Sequence, residues 1–304
     1  MSKTAAWISA ARLRTLPLSI SGILVGTSLA LLSDQFDIRI FWLAIATTLG
    51  LQILSNFAND YGDGIKGTDN DERIGPVRAL QSGILSDKEM KKGIILTAII
   101  TAILALILIY TSFGRENFLL SLLFVGLGVS AIIAAIKYTV GDSAYGYKGL
   151  GDIFVFLFFG IVSVLGSNFL MTKQIDLWIL LPAISIGLLS SAVLNLNNMR
   201  DELNDRNSKK MTLVVKGGKK FAKIYHFSLI LVAFICMVIF LSLDFYSNNN
   251  SRLLPLMAFI PLAIHLRKIY DYTDPRTLDP ELKKVALSTF ALGFILFWMV
   301  FLEF

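Results

Sequence analysis

The chain has 304 residues, of which 55% are apolar and only 16% are charged, and it carries a formal net charge of +6 at pH 7. This balance lies far from that of soluble domains and indicates an integral membrane protein. The positive charge is interpreted as a feature of membrane topology, so no nucleic-acid partner is expected.

Nine apolar runs are long enough to cross a bilayer, because a helical span needs about 20 apolar residues. In chain order they are 16–33, 39–58, 93–112, 118–136, 152–171, 176–198, 225–243, 253–269 and 284–302. No linker rich in Pro, Gly or Ser divides them. The sequence therefore predicts an all-α fold, a polytopic transmembrane helical bundle of about nine spans, formed by residues 1–304 as a single domain.

The basic residues predict the orientation of these spans, because Lys and Arg concentrate on the cytoplasmic side of membrane proteins. All but four of the 28 Lys and Arg lie in the N-terminal segment or in the loops after even-numbered spans; the exceptions are Arg39, Arg115, Lys173 and Arg252. The first run is long enough to span and lacks a small-residue cleavage site, so no removable signal peptide is expected. We expect a multi-pass protein of the inner (cytoplasmic) membrane, surrounded by membrane lipid, whose basic loops face the cytoplasm.

The segment before the first span alternates apolar bulk with two arginines. Trp7 to Arg14 has the pattern of a short interfacial helix. Arg12 and Arg14 are consistent both with a positively charged membrane anchor and with a substrate-contacting role.

Two acidic clusters follow the second and sixth spans, Asn59-Asp60-Tyr61-Gly62-Asp63 and Asn198-Met199-Arg200-Asp201 with Asp205 beyond it. Carboxylates at a membrane boundary are costly unless a cation is bound there. The acids lie three apart in the first cluster and four apart in the second. If the helices continue through them, each pair projects from one helix face. We therefore expect two faces, both cytoplasmic, that hold a divalent metal.

Acids and bases alternate in the loops that carry these clusters. Mg²⁺ takes a few carboxylate oxygens and otherwise water or phosphate oxygens, while Arg and Lys neutralise phosphate charge, so the mixture indicates a magnesium diphosphate site. Five further charges, Asp71, Glu72, Lys88, Lys209 and Lys210, are interpreted as solvated. His226 and His265 have no partner at ligand spacing, which argues against a zinc or haem site.

Long motifs now identify a family resemblance. Asn59-Asp60-Tyr61-Gly62-Asp63-x-x-x-Gly67-Thr68-Asp69, followed by Arg73-Ile74-Gly75-Pro76 and Ala79-Leu80-Gln81-Ser82-Gly83, resembles the first aspartate-rich motif of membrane-embedded aromatic prenyltransferases. Ala11 to Pro17, Gly146 to Asp152 and Asn197 to Asp205 agree with the branch that acts on 1,4-dihydroxy-2-naphthoate in menaquinone synthesis. The wider superfamily has an acid where this chain has Gly67, and the naphthoate branch shares the shift to Asp69.

The resemblance implies a mechanism and its residues. A polyprenyl group would pass from polyprenyl diphosphate to an aromatic acid acceptor, 1,4-dihydroxy-2-naphthoate, with decarboxylation to demethylmenaquinol. Cytoplasmic loops would cap a lateral prenyl-binding cavity. Two Mg²⁺ ions, or Mn²⁺ in their place, would be held by Asp60, Asp63, Asp201 and Asp205, with Asp69 a further candidate. Diphosphate and acceptor would be bound by Asn56, Asn59, Asn195, Asn198, Arg14, Arg78, Lys137, Lys148 and Arg200.

Two assignments stay open within this resemblance. Tyr61, Tyr138, Tyr145 and Tyr147 are candidates to face the allylic carbocation, although a single tyrosine at such a position is more often a residue of the interfacial aromatic belt. Six small residues, Gly22, Gly26, Gly126, Gly128, Gly160 and Gly166, either allow close helix approach or leave room for the tail.

Two alternatives differ from this function. Another aromatic acceptor, of the 4-hydroxybenzoate or homogentisate type, would need the same donor site. An ion-coupled transporter also uses intramembrane acids, but its acids would be expected near span midpoints. No glycine-rich nucleotide loop is present in the sequence, so no nucleotide or redox cofactor is expected, and no obligatory protein partner is evident.

Overall fold

The computed structural model describes residues 2–70, 73–243 and 250–303. Asp71 and Glu72, interpreted above as solvated, lie outside these residues. The α-helices of the described ranges are α1 (Lys3–Ala11), α2 (Leu16–Leu32), α3 (Ile38–Ile65), α4 (Asp87–Phe113), α5 (Phe118–Lys137), α6 (Gly151–Val155), α7 (Ser163–Thr172), α8 (Leu180–Arg200), α9 (Glu202–Asn207), α10 (Leu213–Ser242), α11 (Ile260–Asp271) and α12 (Asp279–Glu303). A π-helical segment, Phe156–Val162, joins α6 to α7, and no strand occurs in these ranges.

Nine helical segments among the described residues are long and apolar enough to cross a membrane, and each predicted run overlaps one of them. The prediction of an all-α polytopic bundle is thereby confirmed. The boundaries differ at the acidic clusters. The second span continues as α3 through Ile65, so Asp60 and Asp63 lie on its last turns. The sixth ends at Arg200, and α9 begins at Glu202.

Three apolar cores hold the bundle together. Residues such as Leu196, Met237 and Leu296 pack α8 and α10 against α12. A second core joins α2, α3, α4 and α7, and a smaller one that includes Leu54 and Met90 joins α1, α3 and α4. A cavity lies among these helices.

The glycines that the sequence left undecided fall into two groups. A Cβ on Gly22 or Gly26 would collide with α7, and one on Gly160 would collide with the backbone of α8 at Gly187. Those three glycines therefore allow close helix approach. A Cβ on Gly126 or Gly166 would meet open space, and Gly128 and Gly166 line the cavity.

His226 and His265, which have no partner at metal-ligand spacing in the sequence, contact one another. Their Nε2 atoms lie 2.8 Å apart, and His265 Nδ1 lies 2.7 Å from Glu281 Oε2. Both histidines are fully buried. The sequence could not show this contact, because the residues come from α10, α11 and α12, far apart in the chain.

Candidate active site

A cavity of about 410 Å³ lies among helices α2, α3, α4, α5, α7 and α8. One end is charged, and it is formed by the start of α2, the last turns of α3 and the loops after α3 and α8. Its charged lining residues include Arg12, Arg14, Asp63, Asp69, Arg73, Arg78, Asp201, Asp205 and Lys210. The other end is apolar and includes Leu108, Phe124, Phe158 and Leu170. A long apolar ligand with an anionic head group would match this gradient.

Lys210 joins the two acidic clusters. Its Nζ lies 3.6 Å from Asp63 Oδ2 and 3.7 Å from Asp205 Oδ1. The loops also meet directly, because Asn204 Nδ2 donates to the backbone oxygen of Thr68 at 2.8 Å. The first and second acidic clusters therefore converge on one site.

The placement of Lys210 corrects the expectation that it is solvated. Lys209 adopts a left-handed backbone with φ of 57°, and the Lys210 amide donates to the Asp205 carbonyl at 2.8 Å. This turn directs Lys210 back into the site, where the residue is only 7% exposed. Burial opposes its charge, but Asp63 and Asp205 outweigh burial and raise the pKa of Lys210.

The two acids of the second cluster differ in electrostatic environment. Burial raises the pKa of Asp205 to about 7, with Lys210 opposing and Asp201 and Asp63 adding to the shift. Burial acts on Asp201 in the same direction, but hydrogen bonds from Arg200 outweigh it and lower the Asp201 pKa. Asp201 is thus fixed as a carboxylate, whereas Asp205 depends on nearby cations to remain ionised.

Asp69 is buried beside two arginines that form no hydrogen bond with its carboxylate. Its Oδ1 lies 3.0 Å from Arg73 Nε and 3.7 Å from Arg78 Nε, yet neither carboxylate oxygen has an aligned hydrogen-bond donor. Burial raises the pKa of Asp69, and Arg78 opposes this shift. Both oxygens are therefore available for a cation in the cavity.

Asp60 is placed differently from the expected metal ligand. It is fully buried, and its carboxylate accepts the backbone N–H groups of Ala79 at 3.1 Å and Leu80 at 3.3 Å. Among the described residues Asp60 is also absent from the cavity lining. The turn at 79–80 occupies both carboxylate oxygens, so in this structure Asp60 holds the loop.

Some of the other proposed site residues line the cavity and others do not. Asn56, Asn59, Arg14, Arg78 and Tyr138 line the cavity. Asn195, Asn198, Arg200, Lys137, Lys148 and Tyr147 lie outside its lining. Lys137 and Lys148 are exposed.

Internal contacts explain why Arg200 and Asn195 lie outside the cavity lining. Arg200 pairs with Asp201 at 2.7 Å and with Asp279 at 2.6 Å. Asn195 Nδ2 donates to the Ala222 carbonyl at 3.1 Å, and Asn198 is buried. Arg200 therefore acts on the site through Asp201, and Asn195 contributes to the packing of α8 against α10.

An aromatic series follows the cavity wall. The rings of Tyr138 and Tyr145 are edge to face at 5.3 Å, Tyr145 stacks on Phe154 at 4.0 Å, and Phe154 lies 6.3 Å from Phe158. All four line the cavity. Phe154 and Phe158 were not identified from the sequence, because inside an apolar run an aromatic residue is ordinarily a packing or lipid-facing residue.

The two remaining tyrosines have other partners. The Tyr147 hydroxyl donates to Asp63 Oδ1 at 2.8 Å and lies 2.6 Å from Thr68 Oγ1, so it orients an acid. Tyr61 packs against the core of α3 and α4. Neither ring lines the cavity.

The charged end fits a divalent metal that is shared with a phosphate ligand. In the part of the chain that the structure describes, no three acidic, His or Cys side chains converge as a ready-made metal site. Mg²⁺ is commonly bound by one or two carboxylates together with substrate phosphates. Unpartnered oxygens of Asp69, Asp205 and Asn204 are buried there, and the Lys210 ammonium already lies between Asp63 and Asp205. The donor set therefore fits Mg²⁺ with diphosphate better than Mg²⁺ alone.

Four functional candidates were missed or undervalued in the sequence, namely Arg12, Arg73, Asn204 and Lys210. Each lies one to five residues from a recognised motif acid or within the Ala11–Pro17 motif. Proximity to the motifs was the available signal.

Known proteins agree with this architecture. The sequence matches the UbiA prenyltransferase family over residues 19–290. It is 41% identical to the 1,4-dihydroxy-2-naphthoate octaprenyltransferase of Escherichia coli (strain K12), over 97% of both chains. It is also 41% identical to the protein of that name from Haemophilus influenzae, over 95% of this chain and 93% of that one.

A solved structure of a UbiA homolog from Archaeoglobus fulgidus bound to DMAPP and Mg²⁺ shares the fold. The TM-score is 0.65 at 13% identity, with 96% of this chain and 99% of that chain covered. The extent of the family match and the identity to full-length relatives show that this chain belongs to the UbiA prenyltransferase family and is a membrane-embedded transferase of prenyl groups.

Proposed function

We propose that this protein transfers a polyprenyl group from polyprenyl diphosphate to 1,4-dihydroxy-2-naphthoate and releases the acceptor carboxyl group as carbon dioxide, giving demethylmenaquinol. The observation that carries the proposal is the single cavity with convergent acids and bases at one end and an apolar, aromatic wall beyond. The names of relatives with 41% identity support the choice of acceptor.

The donor diphosphate would bind at the charged end. Asp63, Asp69, Asp201 and Asp205 would hold Mg²⁺, as two ions with Mn²⁺ able to replace them. When bound, the metal supplies electrostatic stabilisation of the departing diphosphate. Arg73, Arg78 and Lys210 carry positive charge to phosphate oxygens that the metal does not reach.

The aromatic wall would protect the allylic carbon as its bond to oxygen breaks. The faces of Tyr138 and Tyr145 offer negative π density to a cation. Burial raises the pKa of Tyr138 to about 12, so its hydroxyl stays neutral at physiological pH. The apolar residues below exclude water, which would otherwise capture the cation.

The acceptor reaction balances without an added acid or base. The ring carbon that bears the carboxylate forms the new carbon–carbon bond, while the donor carbon–oxygen bond breaks and diphosphate leaves. The electron pair of the bond to the carboxyl carbon then restores aromaticity as carbon dioxide departs.

The site would face the cytoplasm from the inner membrane. The loops that form its charged end follow even-numbered spans, and all but four of the 28 Lys and Arg lie in the N-terminal segment or in loops after even-numbered spans, which favours a cytoplasmic location. Both the naphthoate and the diphosphate head group would be accessible there, and no protein partner is needed for the chemistry.

A direct assay tests the proposal. Purified protein in detergent would receive octaprenyl diphosphate, Mg²⁺ and one of three acceptors, namely 1,4-dihydroxy-2-naphthoate, 4-hydroxybenzoate or homogentisate. We expect prenylated product and labelled carbon dioxide with carboxyl-labelled naphthoate, and loss of both in excess chelator. Faster turnover of another acceptor would reject the naphthoate assignment, and undiminished turnover with chelator would reject the metal.

A further inference from the structure

Arg12 is held in an uncommon backbone conformation between α1 and α2. Its φ of 50° and ψ of 60° are left-handed, a region that non-glycine residues adopt at a cost and that clusters at functional sites. The surrounding chain fixes this conformation. Thr15 donates from its amide and from its hydroxyl to the Arg12 carbonyl, each at 2.9 Å, and Asn56 Nδ2 donates to the Ala11 carbonyl at 2.9 Å.

The Arg12 side chain lines the cavity, and two of its nitrogen atoms donate no hydrogen bond. Its Nε and Nη2 are buried and have no hydrogen-bond partner, although the residue lines the cavity. Nearby Arg14 differs, because it lies 3.6 Å from Asp279 and its side chain is 45% exposed. A buried N–H group without a hydrogen-bond partner is costly, so we expect a ligand in the cavity to accept hydrogen bonds from Arg12.

The positions of Nε and Nη2 on the guanidinium indicate which kind of anion could accept their hydrogen bonds. Nε and Nη2 form one edge of the guanidinium, whose two parallel N–H groups match two oxygens of a carboxylate or of a phosphate. The metal-binding acids and Lys210 surround the place proposed for the diphosphate. The amides of Gln52 and Asn56 line the cavity at the start of α2, where Gln52 Nε2 lies 3.4 Å from Thr15 Oγ1. Of the two anionic reactants, the diphosphate is assigned above to Arg73, Arg78, Lys210 and the metal-binding acids, so the aromatic acid is the reactant left for Arg12.

We propose that Arg12 binds the carboxylate of the aromatic acceptor through Nε and Nη2 and thereby determines the preference for an aromatic acid. This inference rests on the proposed function, since it assigns the binding of that reaction's acceptor. It also replaces Arg14, whose guanidinium is engaged by Asp279.

A comparison of two acceptors tests the assignment. We expect Arg12→Gln to raise KM for 1,4-dihydroxy-2-naphthoate by about tenfold or more and to leave KM for octaprenyl diphosphate unchanged. With 1,4-dihydroxynaphthalene, which lacks the carboxylate, Arg12→Gln and the unmodified protein should have equal kcat/KM. Arg115→Gln, at an exposed position in the loop between α4 and α5, is the matched control and should alter neither value. Equal losses on both acceptors, or a raised KM for the diphosphate, would overturn the assignment.

A binding measurement makes the test independent of turnover. Titration of 1,4-dihydroxy-2-naphthoate into the protein by calorimetry should show about tenfold weaker affinity for Arg12→Gln and an intermediate loss for Arg12→Lys, which keeps the charge but not the fork. Equal affinity in all three proteins would overturn the role of Arg12. Absence of prenylation of any acceptor by the unmodified protein would instead reject the proposed function.

A third variant separates binding from folding. Arg12→Gly places glycine where the backbone is left-handed, so the fold should be retained. We expect its melting temperature to stay within a few degrees of the unmodified value while naphthoate binding is lost. Retained binding in Arg12→Gly would contradict the proposal.

Discussion

Among single residues, Lys210 connects the two acidic clusters of the site. Its ammonium lies between Asp63 and Asp205, one acid from each cluster, and it occupies the kind of position that a divalent cation would share. Two carboxylates this close repel one another when both are ionised. Lys210 therefore stabilises the acidic site while no metal is bound.

Lys210→Met should destabilise the metal-free protein, because it leaves Asp63 and Asp205 buried without their cation. We expect a loss of about 2 kcal/mol or more, measured as a lower melting temperature in detergent with chelator. Addition of Mg²⁺ should stabilise this variant more than the unmodified protein, since the metal takes over the missing charge. The control is Lys209→Met, at the exposed neighbouring position, which should change neither value. An unchanged melting temperature for Lys210→Met would show that the acids do not depend on this lysine.

At the scale of elements, a directional chain of hydrogen bonds connects four helices. His265 Nδ1 contacts the Glu281 carboxylate, an acceptor, so the proton is placed on Nδ1 and Nε2 accepts from His226 Nε2. His226 Nδ1 then accepts from Asn195 at 3.4 Å. Glu281 is two residues from Asp279, which holds Arg200 and Arg14. The chain therefore fixes the start of α12 beside the site.

His265→Leu should break this chain and leave the buried Nε2 of His226 without its partner, whereas Glu281 keeps its contacts with Lys268 and Lys284. We expect a destabilisation of about 1–3 kcal/mol, seen as a lower melting temperature. Tyr270→Leu changes an exposed residue on the same helix and should have no comparable effect. If both substitutions alter the melting temperature equally, the helix, and not the histidine contact, is responsible.

A second prediction at this scale concerns the depth of the cavity. Gly166 lines it and has open space around its Cβ position, so Gly166→Leu should fill part of the apolar end. We expect kcat/KM to fall by about tenfold or more for octaprenyl diphosphate and much less for geranyl diphosphate, whose short tail does not reach that depth. Gly126→Leu also meets open space but outside the cavity lining, so it should affect neither donor. An equal loss with both donors would exclude this end of the cavity as the site of the tail.

For the whole molecule, the sequence was sufficient for the architecture and insufficient for the detailed site. Apolar runs of bilayer length predicted each span because burial in lipid requires them. The family resemblance predicted that Asp60, Asp63, Asp201 and Asp205 share a metal site, with Asp69 a further candidate. It could not predict that the Asp60 carboxylate accepts hydrogen bonds from the amides of Ala79 and Leu80, because that contact depends on where the loop after α3 packs.

The distant contacts were also beyond sequence reasoning. Lys210 resembled a solvated lysine until the left-handed turn at Lys209 placed it between two acids. Arg12 was consistent with a membrane anchor and with a substrate contact until its unpaired nitrogens were located in the cavity. In each case the residue type and its motif were visible, and the direction of the side chain was not.

The orientation of the molecule in the membrane gives a prediction for the whole chain. The loops after α3 and α8 form one site, as the Asn204 contact with Thr68 requires, and their basic residues favour the cytoplasm. In a background with Cys236→Ala, single cysteines at Ser82 and Ser208 should be labelled by a membrane-impermeant thiol reagent only in inside-out vesicles. Gln174→Cys, in the exposed loop after α7, should be labelled only in vesicles of the opposite orientation. Labelling of Ser82→Cys and Ser208→Cys from different sides would contradict the shared site, whereas reversal of all three would retain the site and place it on the outer face.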